Sequence, residues 1–256
     1  CALYSTMTKV PPKHTRDNPS FKKIVRTAKR GSSYSGGEKA INMGEGHPDT
    51  SSEYRVGNTH QLPNVDEDSQ PNPSAAPIKY FDWNTWHEVG HAMDDRKQFM
   101  NKRSGDAAFG GWQKHGCDLL VVAEAVAAEL ATPGITAQAV AKYLDASVSP
   151  SPQPPGWSKV TTWASAAAHG SDPWDAGAKC GASIKSGGLQ AGGRIYHEAY
   201  DGDWYSYLPA ARQQGITGYQ FRAPGEWFSE LYAAHKSGKL KPTHPAQSWL
   251  QALFAD

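Results

Sequence analysis

The pentapeptide His87-Glu88-Val89-Gly90-His91 constrains this chain more than any other feature of it. Two histidines at i and i+4 project from one helix face a turn apart, so both imidazoles can reach one metal ion. The glutamate between them stands beside any water that ion holds. The flanking residues supply the helix this arrangement needs. Trp86, Val89, Gly90 and Met93 recur at three- and four-residue spacings. That periodicity predicts a helix from Asp82, capped by Asp82 or Thr85, and ending near Arg96 or a turn later. His87 and His91 are therefore expected to bind zinc, with Glu88 as general base.

A catalytic zinc takes three protein ligands and leaves one position open for water. A third histidine six residues after His91 would make the motif a metzincin, but Lys97 stands there, and Asp94 occupies the place of that motif's glycine. The remaining candidates are the downstream glutamates 124, 129, 198, 226 and 230. Glu226 is preferred. It begins a helix that Pro224 opens and that runs to about Lys236, with Gly238 as its C-cap. Glu230 follows one turn later, where its carboxylate can accept the free ring N–H of a ligating histidine. Glu124 and Glu129 lie on a helix whose apolar face suggests packing, and Glu198, beside His197, is no stronger.

The stretch His87-Glu88-Val89-Gly90-His91-Ala92-Met93-Asp94-Asp95, with Glu226-Trp227-Phe228-Ser229-Glu230-Leu231-Tyr232, resembles the catalytic domain of anthrax lethal factor and the clostridial Pro-Pro endopeptidases. Those are gluzincin-type zinc metallopeptidases. Their pattern places a tyrosine seven residues before the third ligand, and Tyr219 stands there. The resemblance implies that Tyr219 points into the site and supports the oxyanion or protonates the leaving amine. It covers about residues 80–101 and 219–235, while the 127 residues between His91 and Tyr219 exceed the few tens of those relatives, so substrate preference does not transfer. A looser similarity links the chain to metallopeptidase domains of bacterial polymorphic toxins and effectors. It implies secretion or delivery into a target cell, and an immunity or delivery protein as partner.

Composition limits the alternatives. A net charge of +1 gives no bulk attraction to nucleic acid or an anionic membrane, and the basic run Lys22, Lys23, Arg26, Lys29 and Arg30 reads as a solvated arm or edge strand. The longest apolar stretch, Leu119 to Ala131, is interrupted by Glu124 and Glu129 and is too short to span a bilayer. Three cysteines, Cys1, Cys117 and Cys180, allow one bridge and no disulfide framework. An opening on Cys1 suggests a processed product or an excised piece of something longer.

The expected fold is α+β and zincin-like. A small mixed sheet, with strands near 22–26, 39–43 and 53–56, covers the active-site helix, and a mostly helical C-terminal part carries Glu226. Residues 1–101 would hold the sheet and active-site helix, 102–218 an insertion, and 219–256 the third-ligand helix and a last helix over 246–254. Within the insertion, helices are expected over 118–130 and 136–144. The segment 147–156, with Pro150, Pro152, Pro154 and Pro155, cannot be regular, and 158–193 reads as irregular. Strand 39–43 would be the edge that binds an extended substrate. The expected activity is zinc-dependent cleavage of a protein or peptide. A zinc hydrolase of cell-wall peptides, hinted at by the nine tryptophans, and a non-catalytic zinc-binding delivery module are the alternatives.

Overall fold

The computed structural model describes residues 2–29, 31–44, 53–54, 72, 74–144, 153–159, 161–163, 188–199 and 202–255. Part of the irregular segment 147–156 lies outside them, as do Arg30, Arg55, Val56, Trp174, Cys1 and Cys180. In chain order the elements are α1 (Ala2–Met7), β1 (Lys23–Thr27), β2 (Ser33–Ser35), β3 (Ala40–Gly44), β4 (Glu53–Tyr54), β5 (Ile78–Lys79), α2 (Tyr80–Lys97) and α3 (Phe99–Lys102). Then come β6 (Gln113–Gly116), α4 (Leu119–Leu130), α5 (Ala137–Leu144), β7 (Thr161–Trp163), β8 (Gly188–Ala191), β9 (Arg194–Glu198), β10 (Trp204–Tyr207), α6 (Pro209–Gln213), α7 (Pro224–Lys236) and α8 (Gln247–Ala255). The chain is α+β, as its sequence implies. No helix among the described residues is long and apolar enough to cross a membrane.

Helix α2 begins two residues before Asp82. Its N-cap is Lys79, with no side-chain cap, so neither Asp82 nor Thr85 caps it. Asp82 instead accepts hydrogen bonds from Thr6 and Lys9, which pin α1 to the first turn, and the Thr85 hydroxyl donates to Phe81 O at 2.8 Å. The helix is buried on several sides, through Trp83, Trp86, Val89, Ala92 and Met93 as well as His87 and Glu88. Helix α7 starts at Pro224 as expected, and the chain leaves it through Gly238, one past Ser237, at φ +72°.

Above α2 lies a mixed three-stranded sheet in the order β1-β3-β2. β1 and β3 run parallel (Lys23↔Ala40), and β2 and β3 antiparallel (Tyr34↔Ile41). This corrects the expected substrate edge. β3, the strand predicted at 39–43, is central and paired on both sides, so its backbone cannot receive another strand, whereas β2 is an edge strand and contacts α2.

The insertion departs furthest from expectation. It contributes to a five-stranded antiparallel sheet in the order β6-β10-β9-β8-β7, so 161–163 and 188–191 of the segment expected to be irregular are strands, while 160 and 164–187 lie outside the described residues. One face of this sheet, with Tyr196 and Trp204, packs on α4 and α5 through Val122, Val126, Leu130, Val140 and Leu144. Ile195 and Tyr207, on the other face, join the main core with Trp112, Phe221 and Phe228. A sheet with both faces covered joins the insertion to the rest of the molecule.

Candidate metal centre

Helices α2 and α7 form the site by packing closely. A methyl group on Gly90 would lie 2.9 Å from Ser229 Cα and 3.1 Å from its Oγ, so only glycine permits this approach. Across that contact His87 and His91 face Glu226. Oε2 of Glu226 stands 2.9 Å from His87 Nε2 and 3.1 Å from His91 Nε2, and the two Nε2 atoms are 3.1 Å apart. Among the described residues this is the only group of three His, Cys, Asp or Glu side chains found to converge as metal ligands would. Glu124 and Glu129 lie exposed on α4, where Glu129 accepts from Gly193 N at 3.1 Å, and Glu198 ends β9.

The donor set fits a zinc ion. Ligand atoms at about 2.0–2.1 Å from a tetrahedral metal stand roughly 3.3–3.4 Å apart, so slight side-chain rotations would admit the ion. His87 is already oriented for it. Its Nδ1 lies 2.7 Å from Glu230 Oε1, and since an ionised carboxylate only accepts, Nδ1 carries the proton. Glu230 is itself held, accepting from Trp83 Nε1 at 3.1 Å and from the Thr217 hydroxyl at 2.6 Å. Burial opposes charge on both His87 and Glu226. Hydrogen bonds to Glu226 and Glu230 outweigh it for His87, holding the ring well above the usual imidazole range. The charge of His91, then hydrogen bonds with His87 and His91, outweigh it for Glu226, holding its carboxyl far below the usual carboxylate range. A bound cation would displace the protons shared among these groups.

Glu88 is buried beside the group, and its Oε2 has no hydrogen-bond partner. Burial raises its pKa, the positive charge attributed to His87 and His91 lowers it, and a backbone hydrogen bond from Tyr34 on β2 lowers it further. Tyr34 thus connects the edge strand to the helix twice, because its hydroxyl reaches Asp95 Oδ2 at 2.5 Å, where Lys39 Nζ also donates at 2.5 Å. Asp94, the other carboxylate of the pair, accepts from Met100 N at 2.9 Å and secures the end of the helix.

Tyr219 sits on a 3₁₀ turn, Gly218–Arg222, that leads into α7. Its ring lies edge-on to His87 with centroids 5.5 Å apart. Burial first, and then the charge of Glu226, hold its hydroxyl protonated well beyond neutral pH, while Arg222 acts in the opposite sense. Gln220 shapes the turn by accepting from the backbone N–H groups of Ile216 (2.6 Å) and Thr217 (3.0 Å).

No family model, curated protein or solved structure matches the chain. Its function must therefore be argued from the site. All six residues singled out in the sequence, His87, Glu88, His91, Tyr219, Glu226 and Glu230, come together. The sequence reading missed Trp83, Thr217, Tyr34 and Arg222, and named Asp95 without giving it a role. Two of these left a signal: Trp83 lies one turn before His87, and Thr217-Gly218-Tyr219-Gln220 has the capping-box spacing, Thr217-x-x-Gln220.

Proposed function

We propose that the protein is a zinc-dependent endopeptidase of gluzincin type, hydrolysing peptide bonds of a protein substrate. The convergence of His87, His91 and Glu226, with Glu230 fixing His87 from behind, carries this reading. The mixed sheet over α2 and the third ligand on α7 make a zincin-like arrangement. A zinc ion bound by the three residues would supply Lewis acidity and lower the pKa of a bound water. Glu88 accepts the proton of the attacking water on its unpartnered oxygen and passes it to the leaving nitrogen. Tyr219 donates its hydroxyl hydrogen to the developing oxyanion. The substrate lies extended along β2, which brings its scissile bond to Glu88 because Tyr34 on that strand already touches the carboxylate.

The two alternatives have less behind them. Trp112 and Trp204 are core residues and Trp157 is half-buried with its ring edge-on to Tyr143, while the Trp163 and Trp174 side chains lie outside the described residues, so the described rings give a sugar platform little support. A purely structural zinc site has no use for a buried carboxylate with one unpartnered oxygen, such as Glu88, beside its ligands. Delivery or secretion as a bacterial toxin or effector rests on the looser resemblance to metallopeptidase domains of toxins and effectors. Proteome-wide mapping of cleavage sites, with Glu88→Gln as control, tests the activity. Zinc-dependent cuts that vanish in the variant support it, and identical profiles from both proteins refute it.

A further inference from the structure

The 3₁₀ turn that carries Tyr219 is clamped by the insertion's sheet. Phe221 packs against Tyr207 of β10 with centroids 5.1 Å apart and stacks on Trp112 at 6.5 Å. Arg212 lies over the same Phe221 ring at 4.7 Å and donates to the Tyr207 hydroxyl at 3.2 Å. From β9, His197 Nε2 donates to Arg222 O at 3.2 Å. His197 lies on the same face of its strand as Ile195, which belongs to the main core. Sequence alternation therefore aims it at the turn and not at α4.

The Arg222 side chain returns to the site. It is buried, at 7% exposure, and its guanidinium carbon lies 4.4 Å from the Tyr219 ring centroid, with a hydrogen bond between the two side chains. A planar guanidinium against an aromatic face, also donating to the phenol oxygen, fixes both the tilt of the ring and the direction of its hydroxyl. At 7% exposure Arg222 does not line an open surface, so its action goes through the tyrosine.

We propose that Arg222 is the positioning residue for Tyr219, and that the five-stranded sheet of the insertion, through His197 and Phe221, is the support that holds Arg222 in place. This rests on the peptidase reading, in which Tyr219 serves the oxyanion. The proposal gives the insertion a part in the chemistry although none of its residues belongs to the metal group. An oxyanion donor must be held close to its working geometry before the substrate arrives, so loosening its support costs rate more than binding.

The test is a double-mutant cycle in the zinc-loaded full chain, with a peptide taken from the mapped cleavage sites. Arg222→Met should lower kcat about 10-fold or more with KM and zinc content little changed, and Arg222→Lys should recover part of the loss. In a Tyr219→Phe background the same change should cost less than about 2-fold, because the group it positions is gone. Equal losses in both backgrounds, or an unchanged kcat, would overturn the proposal. A readout independent of turnover separates its failure from failure of the peptidase reading. In protein labelled with 3-fluorotyrosine, the fluorine resonance that disappears in Tyr219→Phe should shift or broaden in Arg222→Met, whether or not any peptide is cut. A resonance unmoved by the substitution contradicts the positioning role directly.

Discussion

Glu230 accepts the Nδ1 proton of His87 at 2.7 Å, and this one contact determines which nitrogen of His87 faces Glu226 and His91. Glu230→Ala should therefore weaken zinc affinity by about 10 to 100-fold without abolishing binding, the usual cost of losing a partner that orients a ligand. Competition against a chelator of known affinity measures the loss. Unchanged affinity would mean that Trp83 and Thr217, which Glu230 also joins, are the only beneficiaries of its carboxylate.

Tyr219→Phe removes the hydroxyl and keeps the ring against His87. Zinc content should be unchanged while kcat falls roughly 10²-fold, the scale of one lost transition-state donor. Steady-state kinetics with metal analysis on the same preparation decide this, and an unaltered kcat would leave Tyr219 a packing residue.

Gly90→Ala tests the contact between the helices. Its new methyl meets backbone, Ser229 Cα at 2.9 Å, and backbone cannot swing aside as a long side chain can. Overpacking of this kind costs about 1–3 kcal/mol. The expected outcome is a lower melting temperature and weaker zinc binding together, as α7 is pushed away with Glu226. A stable variant with normal zinc affinity would show that the helices can separate without disturbing the ligands.

The site was more legible in the sequence than the fold around it. His87, Glu88 and His91 lie within one helical turn, and Pro224 and Glu226 open α7 beside Glu230, so short-range rules place each group. The five-stranded sheet has no such local signature. β6 is short and its Gln113 and Lys114 are exposed, and its partner β10 lies far along the chain (Lys114↔Tyr205). Yet one signal was passed over. Gly192-Gly193 joins β8 to β9 as a two-residue hairpin turn, with Ala191 paired to Arg194 and Gly192 at φ +57°. Gly-Gly between two strand-like runs is a hairpin signal. The order β1-β3-β2 was equally hidden, because spacing alone does not tell a central strand from an edge.

His14 gives the protein a pH-dependent stability away from the site. It lies between α7 and α8, where the Tyr232 hydroxyl bonds Nδ1 at 2.7 Å and Nε2 faces Leu253 O at 3.2 Å. Burial lowers its pKa to about 4, against the pull of the Leu253 carbonyl, and burial lowers that of His197 to about 4 as well. An unfolded histidine titrates near 6.5, so between about pH 6.5 and 4 the unfolded chain binds protons that the folded chain does not, and stability falls as pH drops. Melting temperature should decline across that window, less steeply in His14→Gln. A variant with the same slope as the wild type would remove His14 from the explanation.

The central claim is that His87, His91 and Glu226 together hold one zinc. His87 and His91 come from a single helix, and among the downstream glutamates Glu226 is the one whose carboxylate reaches both rings. The most direct measurement is zinc stoichiometry in purified wild-type protein, Glu226→Ala, Glu124→Ala and Glu198→Ala, each exchanged into metal-free buffer after loading. The account predicts one zinc per chain in the wild type and in the Glu124 and Glu198 variants, and none retained by Glu226→Ala. Full occupancy in Glu226→Ala, with metal lost from either of the other two, would contradict it.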